Sequence, residues 1–270
     1  MKTEVTREDK PAFALVTGGC KGIGNAIANE CAARGMNVLL VSNDEGCLLS
    51  ARDTIRSMNV QSHCLALDLT QDDAPEKVTN WIAENGFRVN VLINNVGIGK
   101  GGMFHAMNMS DMQYMMKLNN KVLVELTYRL LPELQQHPQS FILNLSSLEA
   151  TLPLPYKAVY TATKNFVYAF SLAIAEELKF SNVSVSVICP GPVLTNEDGL
   201  KRLKAHGGRS KILMMYPKPV ARIALDGLLK GKRVIVPGFL NAVFFKLGSL
   251  LPVNVKMRLL ERLFRVYKTA

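Results

Sequence analysis

The last quarter of the chain is nearly devoid of acid. Residues 200–270 contain two carboxylates, Asp226 and Glu261, against sixteen Lys and Arg. Residues 1–199 hold sixteen basic and twenty acidic residues, so the formal net charge of +10 divides into −4 and +14. Basic charge spread over a whole domain points to nucleic acid, and this confinement to one end argues against it. The five cysteines (Cys20, Cys31, Cys47, Cys64, Cys189) are odd in number and form no C-x-x-C pair. That predicts independent, reduced thiols in an intracellular protein and a cytoplasmic location. The four histidines are far apart, so no metal site is expected. The first ten residues are charged and carry no apolar run, so no secretory signal is expected. The most apolar stretch, residues 234–251, is broken by Pro237, Asn241 and Lys246, too interrupted for a membrane span.

With 270 residues, 48% hydrophobic and 20% charged, the chain suits one large domain. Short apolar runs at 13–17, 37–42, 62–67, 89–94, 140–146, 184–189 and 233–236 read as buried strands. Amphipathic segments at 22–34, 45–58, 74–84, 113–131, 158–179 and 219–229 read as helices between them. This alternation predicts an α/β fold: a doubly wound (Rossmann) parallel sheet of about seven strands. Residues 1–236 form that domain, and residues 237–270 are a C-terminal extension.

The first strand runs into Gly18, Gly19, Cys20, Lys21, Gly22, Ile23 and Gly24, a G-x-x-x-G-x-G turn that opens a helix. Residues without Cβ let the backbone approach a pyrophosphate, and the helix offers free N–H groups and its positive dipole end. A bare tight turn is the alternative, and the strand–turn–helix context favours phosphate binding. A carboxylate at the end of the second strand would select NAD(H). Ser42 stands there, with Asn43 where a phosphate-pairing arginine is often found. Asp44 is expected to point away, and Lys21 can meet a 2′-phosphate. NADP(H) is therefore favoured over NAD(H).

Tyr160 and Lys164 are four residues apart, on one face of a predicted helix. The ammonium favours the phenolate, which makes the phenol a better proton donor to a carbonyl oxygen. Such pairs are common on solvated helices, so the surroundings decide. Ser147 closes the fifth strand, Asn94-Asn95-Val96-Gly97 follows the fourth, and Pro190-Gly191-Pro192-Val193-Leu194-Thr195 follows the sixth. In this order and spacing, residues 12–236 resemble the short-chain dehydrogenase/reductase family.

The resemblance implies a role for each matching position. Ser147 would hold the substrate carbonyl, and Tyr160 would give or take the proton. Lys164 would tune the tyrosine and hold the nicotinamide ribose. Asn119 would hold a water in a proton relay, with Asn120 the alternative after a one-residue slip. Asp68 and Leu69 match adenine contacts, and Asn95 and Gly97 belong to the segment that steadies the central strands beside the cofactor. Pro190, Gly191, Val193 and Thr195 match the segment that meets the nicotinamide carboxamide and a phosphate. Two departures stand out. Val96 replaces an alanine, and Glu149 and Ala150 follow the serine pair where glycine is common.

Residues 193–216 read either as a mobile lid, with the apolar strip 212–215 over the substrate, or as a solvated loop. In the tail, Arg258, Arg262, Arg265 and Lys268 fall on one helical face, and Leu259, Leu260, Leu263, Phe264 and Tyr267 on the other. A cationic amphipathic helix suits an anionic membrane surface, and the alternative is docking on the chain's own core or on a second subunit. The tail resembles those of family members similar to long-chain 3-ketoacyl reductases and 17β-hydroxysteroid dehydrogenases. Together these readings imply NADPH-dependent reduction of a ketone or aldehyde on a lipophilic carbonyl or alcohol substrate. The competing reading is a non-catalytic NAD(P)-binding sensor or scaffold. The resemblance also implies a homodimer or homotetramer, and no nucleic acid partner is expected.

Overall fold

The computed structural model describes residues 11–195, 213–250 and 252–265. Seven parallel strands form its centre. They are β1 (Ala12–Thr17), β2 (Asn37–Ser42), β3 (Ser62–Ala66), β4 (Arg88–Asn94), β5 (Ser140–Leu145), β6 (Val183–Ile188) and β7 (Val234–Ile235). Their order is β3-β2-β1-β4-β5-β6-β7. Winding therefore reverses between β1 and β4, which pair in parallel. In open sheets of this kind, ligands bind in the crevice at that reversal, beyond the carboxyl ends of the strands.

Alternation along each strand supplies two core layers. Ala14 and Val16 of β1 join Val38, Leu40, Ile93 and Leu143 on one face. That face is covered by α1 (Gly22–Ala33), α2 (Glu45–Arg56) and α7 (Pro217–Leu229). Phe13 and Leu15 join Leu39, Val41, Leu92 and Ile142 on the other. There the cover comes from α3 (Ala74–Glu84), α5 (Val122–Leu134) and α6 (Ala158–Glu177). The five inner strands are buried on both faces along most of their length, which is why their sequences read as apolar runs rather than alternations, whereas the edge strands β3 and β7 are only partly buried.

The single long helix expected at 113–131 is three pieces. α4 (Met109–Met116) leads into a π-helical turn, Lys117–Lys121, which leads into α5. Pro132 lies inside α5 near its end. The apolar periodicity runs through all three, so nothing in it marks the widened turn. The extension forms two helices, α8 (Phe239–Leu250) and α9 (Val253–Phe264). The sequence pattern disclosed only the second, because α8 carries too little polar contrast to show a period. Among the described residues, no helix is long and apolar enough to cross a membrane.

Candidate active site

The glycine turn sits at the end of β1, beside β4. Gly18 has φ +63° and Gly22 has φ +56°, a region that glycine occupies without strain. A Cβ on Gly24 would stand 2.2 Å from the carbonyl oxygen of Gly18 and 2.3 Å from Asn95 Nδ2. The turn can close onto α1 only with glycine there. Helix α1 begins with no side-chain cap and no acid in its first turn. Its N–H groups and dipole are thus left for an anion. Cys20 is buried at the turn, and Ile23 packs against the core under α1. Asn95 fastens the turn: its Nδ2 donates to Thr17 O at 2.8 Å and to Gly18 O at 3.2 Å. Thr17 Oγ1 in return accepts from the backbone N–H groups of Asn95 and Val96. These features fit a dinucleotide pyrophosphate.

The end of β2 departs from expectation. Asp44 does not point away. Its Oδ1 caps α2 by accepting from the Cys47 N–H at 3.0 Å, and its Oδ2 lies 2.6 Å from Lys21 Nζ. The hydrogen bond between them raises the pKa of Lys21 and lowers that of Asp44. A carboxylate and an ammonium therefore share the edge where the adenosine ribose would lie, with exposed Asn43 beside them. Asp68 accepts from Thr70 through both its N–H and Oγ1. Leu69 is buried in the core, so its side chain serves packing.

Opposite the turn, three elements converge. Ser147 follows β5 in an extended conformation, and its Oγ accepts from the Glu149 N–H at 3.1 Å. Tyr160 and Lys164 lie one turn apart on α6. The Tyr160 ring lies over Gly99, where a Cβ would be 2.9 Å from Cε2. Lys164 is buried, and its Nζ donates to Leu145 O at 2.9 Å. Burial lowers its pKa from 10.5 to about 8. Asn119 sits in the π-helical turn. Its Oδ1 accepts from Ile98 N, and its Nδ2 donates to Ile98 O and to Thr163 Oγ1. Asn120 instead donates to Thr163 O. Of the two asparagines, Asn119 is the one bonded to the segment after β4. A Cβ on Gly97 would meet Asn119 Oδ1 at 2.9 Å and Lys164 Nζ at 3.3 Å. The bare glycine lets those two groups share one spot.

The segment after β6 closes the ring. Pro190 O accepts from Leu148 N, next to Ser147. Val193 pairs with Met215, so the two described ends of the 193–216 segment lie side by side. Thr195 reaches back to the glycine turn, with its Cγ2 3.2 Å from where a Gly22 Cβ would be. The strip 212–215 is described from residue 213 onward, and residues 196–212 of the expected lid lie outside the described residues.

One residue of this junction was missed from sequence. Asn241, on α8, is buried and donates from Nδ2 to Pro237 O and Leu213 O. Its Oδ1 has no hydrogen-bond partner among the described residues and lies 2.7 Å from where a Gly191 Cβ would stand. It joins the segment after β6, the far end of the 193–216 segment and the start of the extension. The available signal was a lone asparagine inside an apolar run.

A family model described as short chain dehydrogenase matches residues 12–204. The very-long-chain 3-oxoacyl-CoA reductase of Rattus norvegicus is 33% identical over 248 residues, 89% of this chain and 75% of that protein. The 17-beta-hydroxysteroid dehydrogenase type 3 of Homo sapiens is 34% identical over 186 residues, 68% of this chain and 59% of its own length. The chain spans about three fifths of the length of several such relatives. A solved short-chain dehydrogenase from Sphingobium yanoikuyae in complex with NADPH superposes with a TM-score of 0.75 at 25% identity, covering 90% of this chain and 97% of that one. Members of the family bind NAD or NADP. On the matched length, the strand order and the ring of residues just described, the chain belongs to the short-chain dehydrogenase/reductase family of oxidoreductases.

Proposed function

We infer that the protein is an NADPH-dependent carbonyl reductase acting on a lipophilic ketone or aldehyde, of the 3-ketoacyl or steroid type. The observation that carries this reading is the convergence of Ser147, Tyr160, Lys164 and Asn119 on the crevice beside the glycine turn. Gly18–Gly24 would hold the pyrophosphate, Asn95 and Gly97 the wall beside the nicotinamide, and Val193 and Thr195 its far side. When bound, the dinucleotide supplies the hydride. The protein's own groups do the rest. Ser147 Oγ donates a hydrogen bond to the substrate carbonyl oxygen and fixes its line of approach. Tyr160 Oη gives its proton to that oxygen as negative charge develops there. The Lys164 ammonium, on the same helical face, favours the tyrosinate left behind. Asn119 has committed its side chain to Ile98 and Thr163. It therefore serves the relay through its main-chain carbonyl, in a π turn where the regular ladder is interrupted.

NADPH is favoured because Lys21 is exposed at the ribose edge and Asp44 is partly neutralised by it and by the start of α2. A lipophilic substrate accords with the 3-oxoacyl-CoA and steroid activities named for the relatives. A homodimer or homotetramer accords with aromatic groups left in water on two helices. Tyr128 on α5 is 80% exposed, and on α6 Phe166 stacks on Phe170.

The test is cofactor oxidation with long-chain 3-ketoacyl thioesters, steroids and aldehydes, using NADPH and NADH in parallel. Wild-type protein should turn over, faster per mole of NADPH than of NADH at low cofactor. Tyr160→Phe should lower kcat by roughly a thousandfold, with NADPH still binding. Undiminished turnover in Tyr160→Phe would remove its role. No turnover by wild type on any of these, with NADPH bound, would favour the non-catalytic reading.

A further inference from the structure

Helix α9 divides its apolar residues between two directions. Leu260 is 3% exposed and packs with Phe264 on Leu152 and Leu154. Those two leucines belong to the segment that leads from Ser147 to Tyr160. Two polar links fix the helix in this attitude. Tyr156 Oη donates to Glu261 Oε1 at 3.0 Å, and Lys157 Nζ lies 5.5 Å from the centre of the Phe264 ring. Tyr156 holds a positive φ of +64° to make its contact, a conformation that non-glycine residues adopt only at a cost.

With the inner side settled, the outer side is defined as well. Val255, Leu259 and Leu263 are 54%, 48% and 46% exposed. They recur every four residues and so form one row along the helix. Beside that row stand Arg258, Arg262 and Arg265, all exposed. A docked helix normally turns its leucines inward and its arginines outward. Here one row of each faces water. The preceding α8 also leaves Phe239, Leu240, Val243 and Phe244 in solvent.

We propose that the outer face of α9 is a docking surface for an anionic lipid bilayer, on which this twelve-residue helix lies without crossing it. Charge selects this occupant. Residues 237–270 carry six basic side chains and a single acid, Glu261. Glu261 is already engaged by Tyr156 and by Arg265, whose Nη2 lies 2.7 Å from its Oε2. A second copy packed face to face on α9 would bring arginines against arginines with no free carboxylate from the extension. The centres of protein interfaces are depleted of charge for that reason. Lipid phosphates supply the missing anions, and the acyl boundary takes the leucine row. This docking does not depend on the reductase reading.

The test is flotation of the full-length protein with vesicles of phosphatidylcholine plus phosphatidylserine, and with phosphatidylcholine alone. The protein should float with the anionic vesicles and not with the zwitterionic ones, and added salt should reduce the effect. Leu259→Ser and Leu263→Ser should each lower partition by about tenfold, with thermal midpoint unchanged because both side chains point outward. Arg258→Gln and Arg262→Gln should each lower it by about fivefold. Full-length protein that stays with the soluble fraction would overturn the proposal. So would equal flotation of the leucine variants, or light scattering that shows a dimer which Leu259→Ser dissolves.

Discussion

Behind the cofactor crevice, four buried polar side chains of the sheet domain, Asn94, Thr127, Asn144 and Ser171, form a chain of mutual bonds. Asn94 Nδ2 donates to Thr127 and to Asn144, Asn144 to Ser171, and Ser171 to Val167 O. The extension does the reverse. It buries one amide, Asn241, whose Nδ2 donates twice while its Oδ1 has no partner among the described residues, and it leaves leucine and arginine rows in water. The first region is organised around what it must hold in place, and the second around what it presents. Substitutions should therefore act on the sheet domain through backbone and hydrogen-bond geometry, and on the extension chiefly through its few anchors.

The largest effect should come from the tightest place in the sheet domain. Gly24→Ala puts a methyl group 2.2 Å from Gly18 O, so the turn must open. We expect a loss of about 3 kcal/mol in stability and a fall in cofactor affinity, read by chemical denaturation and by quenching on NADPH titration. Unchanged cofactor binding would show that the turn yields more easily than its contacts imply.

The extension's anchor comes next. Asn241→Leu keeps the volume but removes the donors to Pro237 O and Leu213 O. Two carbonyls lose their partner, at a cost of roughly 2 kcal/mol. If residues 193–216 cover the substrate, KM for the carbonyl substrate should rise while NADPH affinity holds, because Asn241 bonds Leu213 rather than the glycine turn. A rise in both constants would mean that the extension and the turn are one unit.

The smallest effect is a pH slope. Lys164 loses its proton at about 8 in the folded protein and near 10.5 when unfolded. Between those values the unfolded chain binds the extra proton. This group therefore adds stability as pH rises through that window, by up to about 1.4 kcal/mol per pH unit. Below about pH 8 both states hold the proton and the slope vanishes. Between pH 7 and pH 9 the urea midpoint of wild type should rise relative to that of Lys164→Met, since the buried thiols of Cys31 and Cys189, pushed up to about 12, act the other way equally in both. Parallel midpoints would place the buried cation elsewhere.

The seven strands were legible to within a residue or so, the five inner ones because each is buried on both sides and reads as one apolar block. The placement of Ser147, Tyr160 and Lys164 around the crevice was legible because Ser147 follows the end of β5 and the other two lie one turn apart on α6. Asp44 was misread, although its place just before α2, three residues ahead of the Cys47 N–H it accepts, is that of a helix cap. The sequence of the tail leaves a membrane surface and docking on the chain's own core or a second subunit as alternatives, whereas α9 docks Leu260 on the core and keeps Leu259 and Leu263 exposed. Helical periodicity gives the width of an apolar stripe. It does not say which part of the stripe meets a partner.

The π turn at Lys117–Lys121 has a consequence for how this helix tolerates insertion and deletion. Each residue in a helix advances the phase by about 100°. The turn holds one residue more than a regular helix of the same rise, and that surplus directs Asn119 at Ile98 while Val122 and Leu126 still reach the core. Removing one residue would mend the backbone ladder and send the asparagine a third of the way round the helix. The irregularity is thus a phase adjuster between two faces, and a more regular helix would lose the bonds between Asn119 and Ile98.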